Sequence, residues 1–399
     1  MKLSNRLAAG AAVSALSAFY GGAASAQDIT TAIRGVVTGP DGAPLAGESV
    51  IVTDTRTGVR RSVTTNSAGG FTVGGLESGG PFTIRVDSED YQDELITDVF
   101  TSLGRTANFN ISLGSLSAGG AEEIVVTASA SSFTQLAIGP SATFGLETLQ
   151  NVPSISRGIR DTIRLDPRVS IDRSDGGNGT GISCLGGNNR FNAFTIDGVR
   201  NEDAFGLNSS GFPSRNTLPI PFDAIRETSV EFSPYSVEYG QSTGCQINIV
   251  TKGGTNEFHG SAFGVFNSDG LTGSKLEGDN LGGDPFNDWN WGAEIGGPII
   301  KDKLFFYAAY EEVQDGGDQQ EDGPEDGNFA NSILGLTTAE ANQIASIIED
   351  TYGFETGGIA TILPESSRRI LGRVDWNITD NHRAAFTYSR LRESNIEPD

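Results

Sequence analysis

Residues 224–263 read AIRETSVEFSPYSVEYGQSTGCQINIVTKGGTNEFHGSAF, two β-type runs joined by a Ser/Gly-rich connection. Ile225–Phe232 is rich in β-prone side chains. Gln246–Thr251 alternates polar with apolar residues, the period-two pattern of a half-exposed strand. Between them, Gly240-Gln241-Ser242-Thr243-Gly244 matches G-x-S-x-G, the turn that presents a nucleophilic serine in α/β hydrolases. That chemistry needs a strand before the serine, a helix after it and a histidine base within reach. Here a β run follows, and His259 and His382 fall in later β segments or their turns. The match is read as chance, and no catalytic residue is assigned.

Downstream, the β pattern continues. Ile370, Gly372, Val374 and Trp376 alternate with Leu371, Arg373, Asp375 and Asn377. Ala384, Phe386 and Tyr388 alternate with Arg383, Ala385, Thr387 and Ser389. One apolar and one polar face at period two suits a barrel wall with lipid outside and a wet lumen inside. Trp289, Trp291, Tyr307 and Tyr310 are candidates for interfacial girdles. Gln314–Asn328 carries six acids and no base. It lacks the spacing of an EF-hand, so it reads as a solvated outer loop. Leu336–Tyr352 reads as a helix in that loop, with Thr337 and Glu340 at capping-box spacing.

Upstream, Ser156–Leu165 reads as a short amphipathic helix ending before Asp166-Pro167. Arg190–Ile196 alternates as a strand and meets Asp197-Gly198, a tight hairpin signal. Residues 32–113 hold seven short β runs separated by turns such as Gly39-Pro40-Asp41-Gly42, which predicts a small antiparallel sandwich. No catalytic cluster lies within it. A Gly/Ser/Ala linker, 114–121, then leads to Glu122-Glu123-Ile124-Val125-Val126-Thr127-Ala128. This short β-prone run in an acidic surround can be captured by the edge of another sheet.

The N-terminus has the order of a secretory leader. Lys2 and Arg6 precede the apolar stretch Leu7–Phe19, and Ala24-Ser25-Ala26 supplies the cleavage pattern. No later run of 18 apolar residues offers a spanning helix. The net charge of −24 repels phosphate backbones, so nucleic acid is not an expected partner. Cys184 and Cys245 are the only cysteines. An oxidising compartment favours a disulfide between them, closing a loop of about 60 residues worth around 4 kcal/mol. A metal site has less support, because neither histidine stands at ligand spacing to them. No phosphate-binding glycine motif and no HExxH occurs, so no cofactor and no metal are assigned.

Several stretches resemble known families. GVVTGPDGAPLAGESVIVTDTRTG with TTNSAGGFTVGGL, within 35–76, resembles the carboxypeptidase regulatory-like domain, a transthyretin-like sandwich. Residues 122–128 resemble the TonB box, with Ile124, Val125, Val126 and Thr127 as the candidate TonB-contacting strand. NNRFNAFTIDGVRNEDAFG, from Asn188, looks like the plug motif of TonB-dependent receptors. The stretch 224–263 resembles the plug-to-barrel junction of their Oar-like branch, and GAEIGGPIIKDKLFFYAAYEE and GRVDWNITDNHRAAFTYS resemble its early barrel segments.

The resemblance implies a mainly β chain. Residues 1–26 would be the signal peptide, 27–117 a seven-stranded transthyretin-like sandwich, and 118–256 the TonB box and an α+β plug. Residues 257–399 would begin a transmembrane antiparallel β-barrel, left incomplete because five or six strands fall short of the minimum of eight. It implies a Gram-negative outer-membrane location. The implied partners are outer-membrane lipid, the periplasmic C-terminal domain of TonB and an unidentified extracellular ligand. TonB-dependent uptake is the expected function. A structural or adhesive surface protein without transport is the alternative, and a secreted peptidase lacks its machinery here.

Overall fold

The computed structural model describes residues 29–115, 124–127, 140–154, 157–172, 181–203, 211–214, 218–233 and 243–273. It also describes 275–280, 286–320, 322–327, 329, 331–356, 359, 362–379 and 382–394. The leader assigned to 1–26 and the serine of the G-x-S-x-G match lie outside these residues.

Seven strands form the N-terminal sandwich: β1 (Thr30–Thr38), β2 (Ser49–Asp54), β3 (Arg60–Thr64), β4 (Gly70–Glu77), β5 (Gly79–Asp87), β6 (Glu94–Thr101) and β7 (Thr106–Ser112). Their order along the chain follows the β runs of the sequence. One sheet runs β4-β1-β7 and the other β3-β2-β5-β6, with an eighth strand, β8 (Ile124–Thr127), added beside β6. Alternate residues point inward from both sheets. Val50 and Val52 of β2 and Phe82, Ile84 and Val86 of β5 meet Ile33 and Val37 of β1 in one core. The expectation of a purely antiparallel sandwich is corrected: β1 pairs β7 in parallel, as β6 pairs β8. The first and last strands of a two-layer fold can lie side by side in one sheet, and their common direction then makes the pair parallel.

The second unit is a mixed sheet with short helices. It contains β9 (Ser141–Phe144), α1 (Leu146–Asn151), α2 (Ile159–Ile163) and the hairpin β10 (Val169–Asp172) with β11 (Gly181–Cys184). Then follow β12 (Ala193–Ile196), β13 (Val199–Arg200), β14 (Ile225–Glu231) and β15 (Gln246–Thr251), ordered β13-β12-β15-β14-β9. The helix read over 156–165 is confined to α2, and the strand read from Arg190 begins only at Ala193, after a 3-10 turn over Asn189–Phe191. Asp197-Gly198 does make the tight hairpin, with φ of 49° and 76°. Positive φ at both central positions is what the right-handed twist of the flanking strands requires.

β15 departs from the half-exposed reading. All six of its residues are buried, because it lies centrally between β12 and β14 and both sheet faces are covered. Its polar positions pair inside: Thr195 Oγ1 donates to Asn248 Oδ1 at 2.8 Å. The alternation was real, but the polar face meets a buried hydrogen-bonding surface rather than water.

The third unit is one antiparallel sheet in chain order: β16 (His259–Ser268), β17 (Asn287–Ile300), β18 (Leu304–Gln319), β19 (Ile362–Thr379) and β20 (His382–Ser394). Outward-facing Ile370, Val374, Trp376, Phe386 and Tyr388 are exposed, whereas Arg369, Leu371, Arg373 and Asp375 are buried against the second unit. Trp291 and Tyr310 pack as a ring pair 5.0 Å apart, Trp291 being exposed. Tyr307 is a correction to the girdle reading. It points inward and is buried, since β18 alternates and Tyr307 shares the parity of Phe305 and Ala309.

Two strand connections, at 301–303 and around 380, are short, and the opposite ends carry long ones. Short turns on the periplasmic side and long loops outside are the habit of outer-membrane barrels. The sandwich touches the short-turn side, where Asn256 N–H donates to the Arg56 carbonyl at 2.7 Å. Gly254 makes the entry into β16 possible: a Cβ there would collide with the Phe306 carbonyl oxygen.

The long connection carries α3 (Thr338–Tyr352), whose capping box joins Thr337 and Glu340 reciprocally. Its acidic neighbours are engaged locally: Asp326 accepts from Thr338 N–H at 2.6 Å, and Glu325 accepts from Gly335 N–H at 3.0 Å. No residue of α3 is buried, so its stability leans on the caps. Thr337→Ala is expected to cost about 1 kcal/mol of local helix stability. Amide exchange should speed up in α3 and stay unchanged in the strands.

Candidate coupling site

The strand-capture candidate is built first by its backbone. Ile124–Thr127 is extended and runs parallel to β6, in the register Glu94 with Ile124, Leu95 with Val125, Ile96 with Val126 and Thr97 with Thr127. It forms the outer strand of the sandwich's larger sheet, and among the described residues no strand pairs its other edge. Edge addition is the binding mode proposed for it from sequence, here performed within the chain.

A second arrangement holds the three units together. Glu77, at the end of β4, projects from the sandwich into a cluster of arginines. Arg56 of the sandwich lies 3.9 Å away, Arg226 of β14 3.0 Å, Arg373 of β19 3.7 Å, and Arg383 of β20 is in direct contact. Burial works against the carboxylate, but Arg383, Arg226, Arg373 and Arg56 outweigh it and hold its pKa well below the usual range. A neighbouring link joins Glu227 of β14 to the sandwich, its carboxylate accepting from Leu103 N–H at 3.1 Å. Burial raises the Glu227 pKa, against the hydrogen bond from Leu103 and the charges of Arg226 and Arg105.

Further ion pairs fasten the second unit to the barrel sheet. Arg369 of β19 and Glu311 of β18 are both buried and 3.2 Å apart. The other Glu311 oxygen accepts from Phe222 N–H at 2.7 Å. Asp197, in the tight turn, accepts from Thr251 N–H at 2.8 Å and lies 3.5 Å from Arg373, which also pairs with Asp375 at 3.0 Å. Lys252 pairs with Glu294 of β17 at 2.8 Å, and Tyr307 donates to the same carboxylate. A cleft of about 320 Å³ between α1 and this wall is lined by Ser154, Arg157, Asp223, Lys252 and Glu294 among others. Its charged groups already pair across the gap: Arg157 with Asp223, Lys252 with Glu294.

The sequence does not mark any of these residues as joining: Arg373, Asp375 and Arg383 read as polar faces of strands, Asp197 as a turn residue and Tyr307 as a girdle candidate. The available signal was three charges, Arg369, Arg373 and Asp375, on the one strand face that also holds Leu371, opposite Ile370, Val374 and Trp376. Cys184, at the end of β11, and Cys245, just before β15, are buried and joined in a disulfide, their Cα atoms 6.1 Å apart.

Comparison with known proteins agrees with this architecture. Three family models match in succession: the carboxypeptidase regulatory-like domain over 32–114, the TonB-dependent receptor plug domain over 135–244, and an outer membrane beta barrel domain over 250–322. The TonB-dependent transporter Oar of Myxococcus xanthus is 27% identical over 317 residues, which are 73% of this chain and 27% of that protein. The chain thus spans about a quarter of that relative's length. Among solved structures, the siderophore receptor PirA of Pseudomonas aeruginosa aligns with 66% of this chain and 35% of its own, at 16% identity and a TM-score of 0.41. The ferric enterobactin receptor PfeA of the same species aligns with 66% and 34%, at 17% identity and a TM-score of 0.43. The plug and barrel matches place the chain in the outer membrane of a Gram-negative bacterium.

Proposed function

We propose, from the premise that this chain carries the domain series of a TonB-dependent outer-membrane receptor, that it is the force-receiving front of a transporter. Its division would be a leader over 1–26, the sandwich over 27–117, the box and plug over 118–256, and barrel wall from 257. An extracellular ligand binds on the long-loop side. The periplasmic C-terminal domain of TonB takes Ile124–Thr127 by strand addition and pulls, drawing on the inner-membrane proton gradient. The plug yields and the ligand passes.

The observation that carries this reading is the strand itself. It stands between sandwich and plug, extended, and already added edgewise to a sheet. Capture by TonB then exchanges one edge pairing for another. Pulling on it directs load into β9 and the rest of the plug, which the ion pairs at Glu311, Asp197 and Lys252 hold against the wall.

Val125→Pro removes a backbone N–H and the freedom to pair as a strand. Uptake is expected to be abolished, with ligand binding to cells unchanged. Normal uptake by that variant would remove the box assignment. Indifference of the phenotype to deletion of TonB would favour a surface-adhesion role instead.

A further inference from the structure

Load applied at Ile124–Thr127 must follow the covalent chain, and the disulfide offers it a shortcut. From the box the chain runs through β9, α1, α2 and the β10–β11 hairpin to Cys184. There it is bonded to Cys245, 61 positions further on. Cys245 immediately precedes β15, whose chain continues through Gly253 and Gly254 into β16 of the wall. The loop closed by the bond contains β12, β13 and β14.

The two sides of the bond are held differently. On the box side, among the described residues β9 is an edge strand paired with β14 alone, and β10 pairs with β11 alone. Such elements can leave without breaking the centre of the sheet. Inside the closed loop, β12 and β14 flank β15 on both sides, in the registers Ala193 with Gln246 and Val230 with Ile247.

We propose that the Cys184–Cys245 disulfide divides the plug into an extensible part, from the box to Cys184, and a shielded part, 185–244, that force from TonB does not reach. Once the first part is drawn out, tension passes through the two sulfurs to Cys245 and along β15 into the barrel wall. The β12-β15-β14 core stays in place, so the bond caps the opening the plug can make and thereby the size of the transported cargo. The inference rests on the reading of Ile124–Thr127 as the pulled strand. Both cysteines are buried, which shields the bond from reductants until the plug has begun to open.

The test is force spectroscopy on the full chain in outer-membrane vesicles, with a clickable handle placed at Ala128. Load then enters beyond the box whatever TonB binds. The native chain should lengthen by about 200 Å, the reach of the segment up to Cys184, and then hold. With dithiothreitol, or in Cys245→Ser, a further extension of about 200 Å should appear. Equal extensions with and without the bond would overturn the proposal, as would two thiols that label in the denatured, unreduced chain. A separate arm carries the TonB C-terminal domain on the tip. If it fails to grip the chain while the Ala128 handle still gives the two lengths, the box assignment falls and the mechanical division stands.

Discussion

Replacing Glu311 by Ala is expected to unseat the plug from the barrel wall. The carboxylate is the ion-pair partner of Arg369, whose side chain is fully buried, and it also accepts the Phe222 N–H. Carbonyl oxygens of Leu218 and Ile220 stand 3.5 Å from the guanidinium and are too distant to replace it. Removing the carboxylate leaves Arg369 with only the weaker pull of Glu393, and breaking a buried pair in this way costs about 3–5 kcal/mol. The lost acceptor for Phe222 adds roughly 1–3 kcal/mol. Amide exchange at Phe222 should therefore quicken by roughly a thousandfold or more, and the outer membrane should become leaky to large hydrophilic antibiotics. Glu311→Gln keeps an acceptor for Phe222 but not the charge, so its effect should fall between wild type and Ala. Unchanged exchange at Phe222 in Glu311→Ala would show that the pair does not seat the plug.

That result concerns residues the sequence did not single out, and the reason is physical. Periodicity reports which face of a strand is apolar. It locates Ile370, Val374 and Trp376 on one side of β19 and Arg369, Arg373 and Asp375 on the other. It does not say what the polar side meets. Arg373 finds Asp197, Thr251 and Glu77, contributed by three separate parts of the chain. Pairings of that range have no local signature. Turn chemistry was legible because it is local: Asp197-Gly198 and the Thr337–Glu340 box are fixed by two to four neighbouring residues. The same limit explains β15. A polar/apolar alternation is identical whether the polar face is wet or meets buried partners such as Thr195. The parallel pairing of β1 with β7 likewise joins segments some seventy residues apart, beyond any turn signal.

Glu77 supports the second large prediction, because one carboxylate serves three units. Loss of its charge affects its partners unequally. Arg56 keeps Asp54 at 2.7 Å, and Arg373 and Arg383 keep Asp375 at 3.0 and 2.8 Å. Arg226 has no other ion pair among the described residues. Glu77→Gln should therefore cost about 3–5 kcal/mol of sandwich docking, chiefly by stranding Arg226. The double variant Glu77→Met with Arg226→Met removes both charges and should recover most of that loss, a coupling a double-mutant cycle reads directly. The pH dependence follows from the lowered pKa of Glu77. A depressed carboxylate contributes its full stability above the unfolded value of about 4.3 and loses it only as pH falls below that, through the folded value. The Glu77 contribution to docking should thus be flat from about pH 8 to pH 5 and weaken only in stronger acid, while the raised pKa of Glu227 strengthens docking as pH falls through it. The measurement is protease accessibility of the linker 114–121 across that range. A docking loss centred near pH 6, or a double variant no better than Glu77→Gln, would show that the Glu77 cluster is not what seats the sandwich. With the sandwich seated, β6 stays beside the plug with the strand it holds. With it released, the strand should leave with the sandwich, and TonB would meet it farther from the barrel.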